Sequence, residues 1–149
     1  MRLLMTITIR QFQTYDKQEI ISMMEEFYSS DAVSTNGSKD IFETDFENCI
    51  NDCPFLEGYV FNTSSEIVGY AMIAKSFSTE FGKKCIWFED LYLKEEYRGL
   101  GIIPNFIEFI ESLYPDTILK LEVEAENEHA VHVYKKRGFK ELPYQEMIK

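Results

Sequence analysis

Tyr92 to Phe106 reads YLKEEYRGLGIIPNF. A strand ends at its left, a tight turn follows, and Gly101 opens a helix running to about Leu113. Pro104 fits the first turn of that helix, where a missing N–H costs nothing. Two glycines let the backbone approach a ligand and turn several N–H groups toward one point. The helix N-terminus adds about half a positive charge, and Arg98 adds a full one. One reading is a phosphate cradle. The other is a plain strand-to-helix turn whose glycines only permit the bend. The pattern is neither GxxxxGK[ST] nor GxGxxG, because only Gly99 and Gly101 are present.

Downstream, Thr117 to Ala125 alternates as a strand, with Ile118, Leu119, Leu121 and Val123 apolar. Glu124 to Phe139 then reads EAENEHAVHVYKKRGF. Asn127, Ala130 or Val131, and Tyr134 recur at helical spacing and share a face. The helix runs from Asn127 to Arg137 and Gly138 closes it in a left-handed stop. Lys135, Lys136 and Arg137 follow Tyr134 as the only run of three basic residues, which also suits a helix C-terminus. Tyr134 by itself is equally a half-buried packing residue. Phe139 to Lys149 reads as a terminal strand broken by Pro143.

Upstream, Thr6 to Phe12 alternates as a first strand. Asp16 starts a helix, with Glu19 completing a capping box. Tyr28 to Ser38 is a polar loop, and Ser38 caps a second helix to about Asn51. Glu57 to Asn62 and Glu66 to Phe77 form a hairpin, and Lys84 to Leu93 is the next strand. The order is β-α-α-β-β-β-α-β-α-β, which predicts an α/β (α+β) fold around a mixed sheet. The 149 residues suit one domain, 1–149.

Hydrophobic residues make up 45% and charged ones 28%, the balance of a soluble globule. The net charge of -11 opposes general nucleic-acid binding and docking on an anionic membrane. Any anionic ligand must find a local positive site. The three cysteines, Cys49, Cys53 and Cys85, form no CxxC and no zinc set, so free thiols and no metal are expected. The opening MRLLM is too short for a signal core and no apolar run nears ~20 residues. The expectation is a cytoplasmic protein without a membrane span.

The two motifs together resemble the GCN5-related N-acetyltransferase (GNAT) family. That family's pyrophosphate turn, [RQ]xxGx[GA], matches Arg98, Gly101 and their neighbours, with Ile103 in place of the final glycine or alanine. Its later motif matches Asn127, Ala130, Tyr134, Gly138 and Phe139. Phe88 to Leu93 running into Tyr97-Arg98-Gly99 looks like the diamine and spermidine acetyltransferase branch. The resemblance implies a GNAT-like domain whose strands splay at an acetyl-coenzyme A slot, and N-acetyl transfer to a primary amine of a small, cationic molecule. A protein or peptide amine is the alternative acceptor, and a non-catalytic acyl-coenzyme A sensor is the alternative class. Ile103, beside the phosphates, and Pro104, which donates no N–H, are the departures that allow the sensor.

By resemblance, the pyrophosphate sits on Gly99, Leu100, Gly101, Ile102 and Ile103, with Arg98 at the mouth. Leu91 and Leu93 pair with the pantetheine arm, Asn127 holds it, and Lys136 is a candidate for the 3′-phosphate. An alkyl ammonium, with a pKa of about 10.4, must lose a proton before it attacks. Glu89 is the candidate base, with a cation anchor as its equal alternative. Tyr134 is the candidate acid for the thiolate. Tyr28 and Asp31 are candidates for the acceptor site, Asp31 also suiting a turn cap. A homodimer is an open arrangement, because the terminal segment can pair across chains.

Overall fold

The computed structural model of the chain describes residues 6–30 and 37–149; Asp31 lies outside them. The elements are β1 (Thr8–Gln11), α1 (Lys17–Tyr28), α2 (Lys39–Ile50), β2 (Leu56–Asn62), β3 (Ile67–Ser78), β4 (Lys83–Leu93), α3 (Ile102–Leu113), β5 (Ile118–Leu121) and α4 (Glu128–Lys136). The strands lie in the order β1-β2-β3-β4-β5. The first four run antiparallel to their neighbours, and β4 runs parallel to β5. The sheet is therefore mixed, as its sequence order implies.

Each face of the sheet is covered by helices, which explains why β2 and β3 read as nearly unbroken apolar runs. Ile102, Phe106, Ile107 and Ile110 fall on one stripe of α3 and are all buried. They meet Phe61, Ile73, Ile86 and Phe88 of the sheet. Phe106 is fully buried, with ring centroids 5.3 Å from Phe61 and 5.9 Å from Phe88. On the other face, Ile20 and Met24 of α1 and Phe42 and Phe46 of α2 cover Val60, Tyr70, Met72 and Tyr92. Ser38 caps α2 as expected, accepting from the Ile41 N–H at 3.3 Å.

Three expectations are corrected. Asp16 precedes α1 but its side chain does not cap it. Arg10 holds the carboxylate at 2.8 and 3.0 Å, and the Gln13 N–H donates to it at 2.7 Å. A bidentate, charge-assisted pair outcompetes a single cap bond. Second, β5 stops at Leu121 and does not reach Ala125. Third, 139–149 forms no strand. Its side chains are exposed from Lys140 onward, and Pro143 removes one of the donors that a strand there would need. Tyr144 nonetheless anchors the segment by donating its hydroxyl to Glu80.

The shortness of β5 has a cause in β4. Met72 pairs with Asp90, and the next residue, Ile73, pairs with Phe88. Glu89 is thus an extra residue in the ladder, a bulge. Before it, Ile86 and Phe88 face α3; after it, Leu91 and Leu93 do. Asp90 and Tyr92 consequently face α1 and α2. Pairing of β4 with β5 ends at Phe88 and Leu121, immediately before the bulge. Past that point the two strands are unpaired, and a slot opens where the sequence places a splay.

Candidate functional site

The turn between β4 and α3 is built as a backbone device. Gly99 and Gly101 have φ of 74° and 81°, the left-handed region that side chains avoid. A Cβ on either would meet nothing within 4 Å, so open space lies in front of both. No carbonyl among the described residues accepts the N–H of Ile102 or Ile103. No acidic residue stands in the first turn of α3. An anion placed there meets free N–H groups and the positive end of the helix. A cavity of about 280 Å³ adjoins the turn, lined by Leu100, Gly101, Ile102, Asn105 and Arg137 among others.

Ile103 is half-buried and packs against the core under α3, and its N–H lies in the first turn of the helix. Arg98 stands at the mouth of the turn with a partner of its own. Its Nε donates to the Leu93 carbonyl at 2.9 Å, and the guanidinium lies 5.9 Å from the centre of the Tyr92 ring. Arg98 therefore ties the end of β4 to the turn. Its charge remains beside the cradle, but the side chain serves first as a strut.

The bulge brings the second set of groups together. Glu89 is the first residue past the last β4–β5 pair and is open to solvent. Its carboxyl is raised above the ordinary range, first by partial burial and then by Asp90, Glu146 and Asp45. Tyr134 is half-buried on α4. Its ring lies 5.9 Å from Phe139, which lies 6.5 Å from Phe88, so it stands beside the end of the strand pairing. Burial raises its phenol above the usual value, which keeps the proton on at neutral pH. Leu91 and Leu93 are on the same face of β4, beyond the bulge.

Asn127 is the N-cap of α4, its Oδ1 accepting from the Ala130 N–H at 3.3 Å. Its carboxamide N–H groups remain as donors toward a ligand. In the basic run, Lys135 pairs with Glu141 and Arg137 with Glu108. Lys136, alone of the three, makes no ion pair among the described residues.

Tyr28 is drawn into a buried network. Its hydroxyl donates to Asp90 Oδ1 at 2.9 Å, and the Tyr70 hydroxyl donates to Oδ2 at 2.8 Å. Asp90 is only 2% exposed. Asp45 on α2 faces the same carboxylate, and burial with that charge pushes its carboxyl up to about 6. The sequence reading missed Tyr70 and Asp45. Asp45 left a signal: it shares a helical face with Phe42, Phe46 and Cys49, where a carboxylate is out of place. Tyr70 left none, because a tyrosine in a buried strand is ordinary. Cys49 is pushed up to about 12 by burial and nearby carboxylates, so it is an inert thiol. No cluster that could hold a metal occurs among the described residues. No helix among them is long and apolar enough to cross a membrane.

Known proteins resemble the chain in sequence or in fold. A thialysine N-epsilon-acetyltransferase of Bos taurus is 29% identical over 143 residues, 90% of this chain and 75% of that protein. A predicted acetyltransferase from Clostridium acetobutylicum, solved with acetyl-CoA, superposes with a TM-score of 0.78 at 16% identity, covering 97% of this chain and 96% of that one. AAC(6′)-Iy in complex with the bisubstrate analogue CoA-S-monomethyl-acetylneamine also gives 0.78, at 13% identity, with 97% of both chains covered. The model of the Acetyltransferase (GNAT) family matches residues 19–139, which span both the glycine turn and the Asn127–Phe139 motif. With cradle, bulge and parted strands in place on that match, the chain belongs to the GNAT acetyltransferase family.

Proposed function

We propose that residues 1–149 act as one N-acetyltransferase domain, moving an acetyl group from acetyl-coenzyme A to a primary amine of a small, cationic molecule in the cytoplasm. The observation that carries this reading is the open, left-handed turn at Gly99 and Gly101 beside a strand pair that parts at Phe88 and Leu121. When bound, acetyl-coenzyme A supplies the acetyl group as a thioester. The N–H groups from Gly99 to Ile103 hold the pyrophosphate, with Lys136 at the 3′-phosphate. Leu91, Leu93 and Asn127 support the pantetheine arm.

Glu89 accepts the proton that the acceptor ammonium must lose. A raised carboxyl is a better base for that task than an ordinary one. Tyr134 gives its hydroxyl proton to the departing sulfur. A thiol near 8.5 and a phenol near 10 make that transfer uphill by about 1.5 units, or about 2 kcal/mol. Burial of Tyr134 steepens it further, so the tyrosine assists departure without being indispensable.

The cationic acceptor is supported by the carboxylates Asp45, Glu89 and Glu122, whose raised affinity for protons reports an unneutralised acidic wall. The sensor alternative rested on Ile103 and Pro104, and the packing of Ile103 against the core under α3 weakens the first of these. The test is release of free thiol from acetyl-coenzyme A with a panel of diamines, amino acids and basic peptides. Release with small cationic amines is the expected result. No release with any amine, despite tight binding of acetyl-coenzyme A, overturns the enzyme in favour of the sensor.

A further inference from the structure

The Tyr28–Asp90–Tyr70 cluster joins three elements under the bulge. Asp90 is the residue directly after Glu89, and the ladder shift at that point turns Asp90 inward. A buried carboxylate without partners would cost several kcal/mol. Here both oxygens are taken, one by a phenol from the end of α1 and one by a phenol from β3. Both phenols precede Asp90 in the chain, by 62 and 20 residues. Burial raises the Asp90 carboxyl above its ordinary range, and the bonds from Tyr70 and Tyr28 oppose that rise by favouring the ionised form.

We propose that Asp90 is a positioning residue for acetyl transfer: clamped by Tyr28 and Tyr70, it anchors the bulge that presents Glu89 at the slot and sets the charge beside it. The inference rests on reading Glu89 as the proton acceptor. Without the inward anchor, the extra residue has no reason to stay at Glu89, and slippage by one position would exchange the faces of the strand. The anion also acts through space. It raises the proton affinity of Glu89 and of Asp45. The groups around Glu89 are Asp90 on its own strand, Asp45 on α2, Tyr28 on α1, Glu122 after β5 and Glu146 of the terminal segment. Asp90 meets Tyr28, Tyr70, Asp45, Glu89 and Cys49. None of these groups is a cation, so removing the Asp90 charge has a definite sign.

The experiment compares the wild-type protein with Asp90→Asn. The amide keeps one acceptor for a phenol and offers N–H groups to the other, so the clamp is retained while the charge is lost. The Glu89 carboxyl carbon is followed by NMR against pH without substrate, with Glu89→Gln assigning the signal. The acid limb of kcat/KM is recorded in parallel. The proposal expects Glu89 to titrate lower in Asp90→Asn by about 0.5 to 2 units, the scale of a nearby charge, with the acid limb moving equally. An unmoved NMR titration overturns the proposal whatever the kinetics do. A moved titration with a stationary acid limb also overturns it, but the fault then lies in the Glu89 reading and not in the clamp. Should Asp90→Asn fail to fold, Tyr70→Phe keeps the charge and loses one bond. It is expected to lower kcat severalfold with the KM for acetyl-coenzyme A unchanged, and an unchanged kcat overturns the proposal.

Discussion

Two regions around β4 are made by different means. The cradle at the start of α3 is made of backbone: two left-handed glycines, free N–H groups and a helix end. The opposite face of β4, under α1 and α2, is ordered by side chains from distant parts of the chain: Tyr28, Asp45, Tyr70 and Asp90. Backbone devices are local, and substitutions break them through conformation. Side-chain devices are long-range, and substitutions break them through charge and hydrogen bonding.

The sharpest way to break the comparison is on the cradle. Gly101→Val places a β-branched residue at φ 81°, a conformation that costs it about 1–3 kcal/mol. Binding of acetyl-coenzyme A should fall more than about 100-fold, as lost charge-assisted bonds of 1.5–3 kcal/mol each add to that strain. Calorimetric titration checks this. If Gly101→Val binds as the parent does, the cradle is not a backbone device. Next in size is Tyr134→Phe. Turnover should drop about 10- to 1000-fold, the range of one general acid, with both substrates saturating. An unchanged rate removes Tyr134 from the acid role.

Two smaller effects sharpen the contrast between satisfied and unsatisfied carboxylates. Glu57 receives hydrogen bonds from Lys75, Tyr59 and Tyr114, which together hold its carboxyl below the ordinary range despite burial. Such a group stabilises the fold above the unfolded value, and the benefit is lost as pH falls through the folded one. Glu57→Gln should therefore cost about 1–3 kcal/mol at pH 7. The loss should fade in acid, as read by denaturant unfolding across pH. Asp45 is the opposite case. Its carboxyl is raised to about 6, so its ionised form opposes folding at higher pH. Asp45→Asn should raise Tm slightly at pH 8 and make no difference near pH 3. A lower Tm at pH 8 would mean that Asp45 has a stabilising partner after all.

The same division explains what the sequence made legible. Gly99, Gly101 and the Asn127–Phe139 spacing are local patterns, and they pointed to the left-handed turn and to the helix that carries Tyr134. The apolar stripe of α3 and the Ser38 cap were equally local. The bulge at Glu89 was not legible, because ladder register depends on β3. The shift explains why β5 ends at Leu121 rather than Ala125. Arg98 was read by its charge alone, while the bond to the Leu93 carbonyl depends on how the turn folds back. The Asp16 capping box failed for a similar reason, since Arg10 on the preceding strand claims the carboxylate. Tyr70 carried no signal, because its role exists only through Asp90, 20 residues further on.

We propose the β4–α3 turn as an anion cradle for acetyl-coenzyme A. Its most direct test is calorimetric titration of the full chain with acetyl-coenzyme A, beside free coenzyme A and beside dephospho-coenzyme A, which lacks the 3′-phosphate. The account predicts micromolar binding of the first two and weaker binding of the third, with Lys136 as the difference. No heat of binding at millimolar acetyl-coenzyme A would contradict it and reduce the turn to a bend between a strand and a helix.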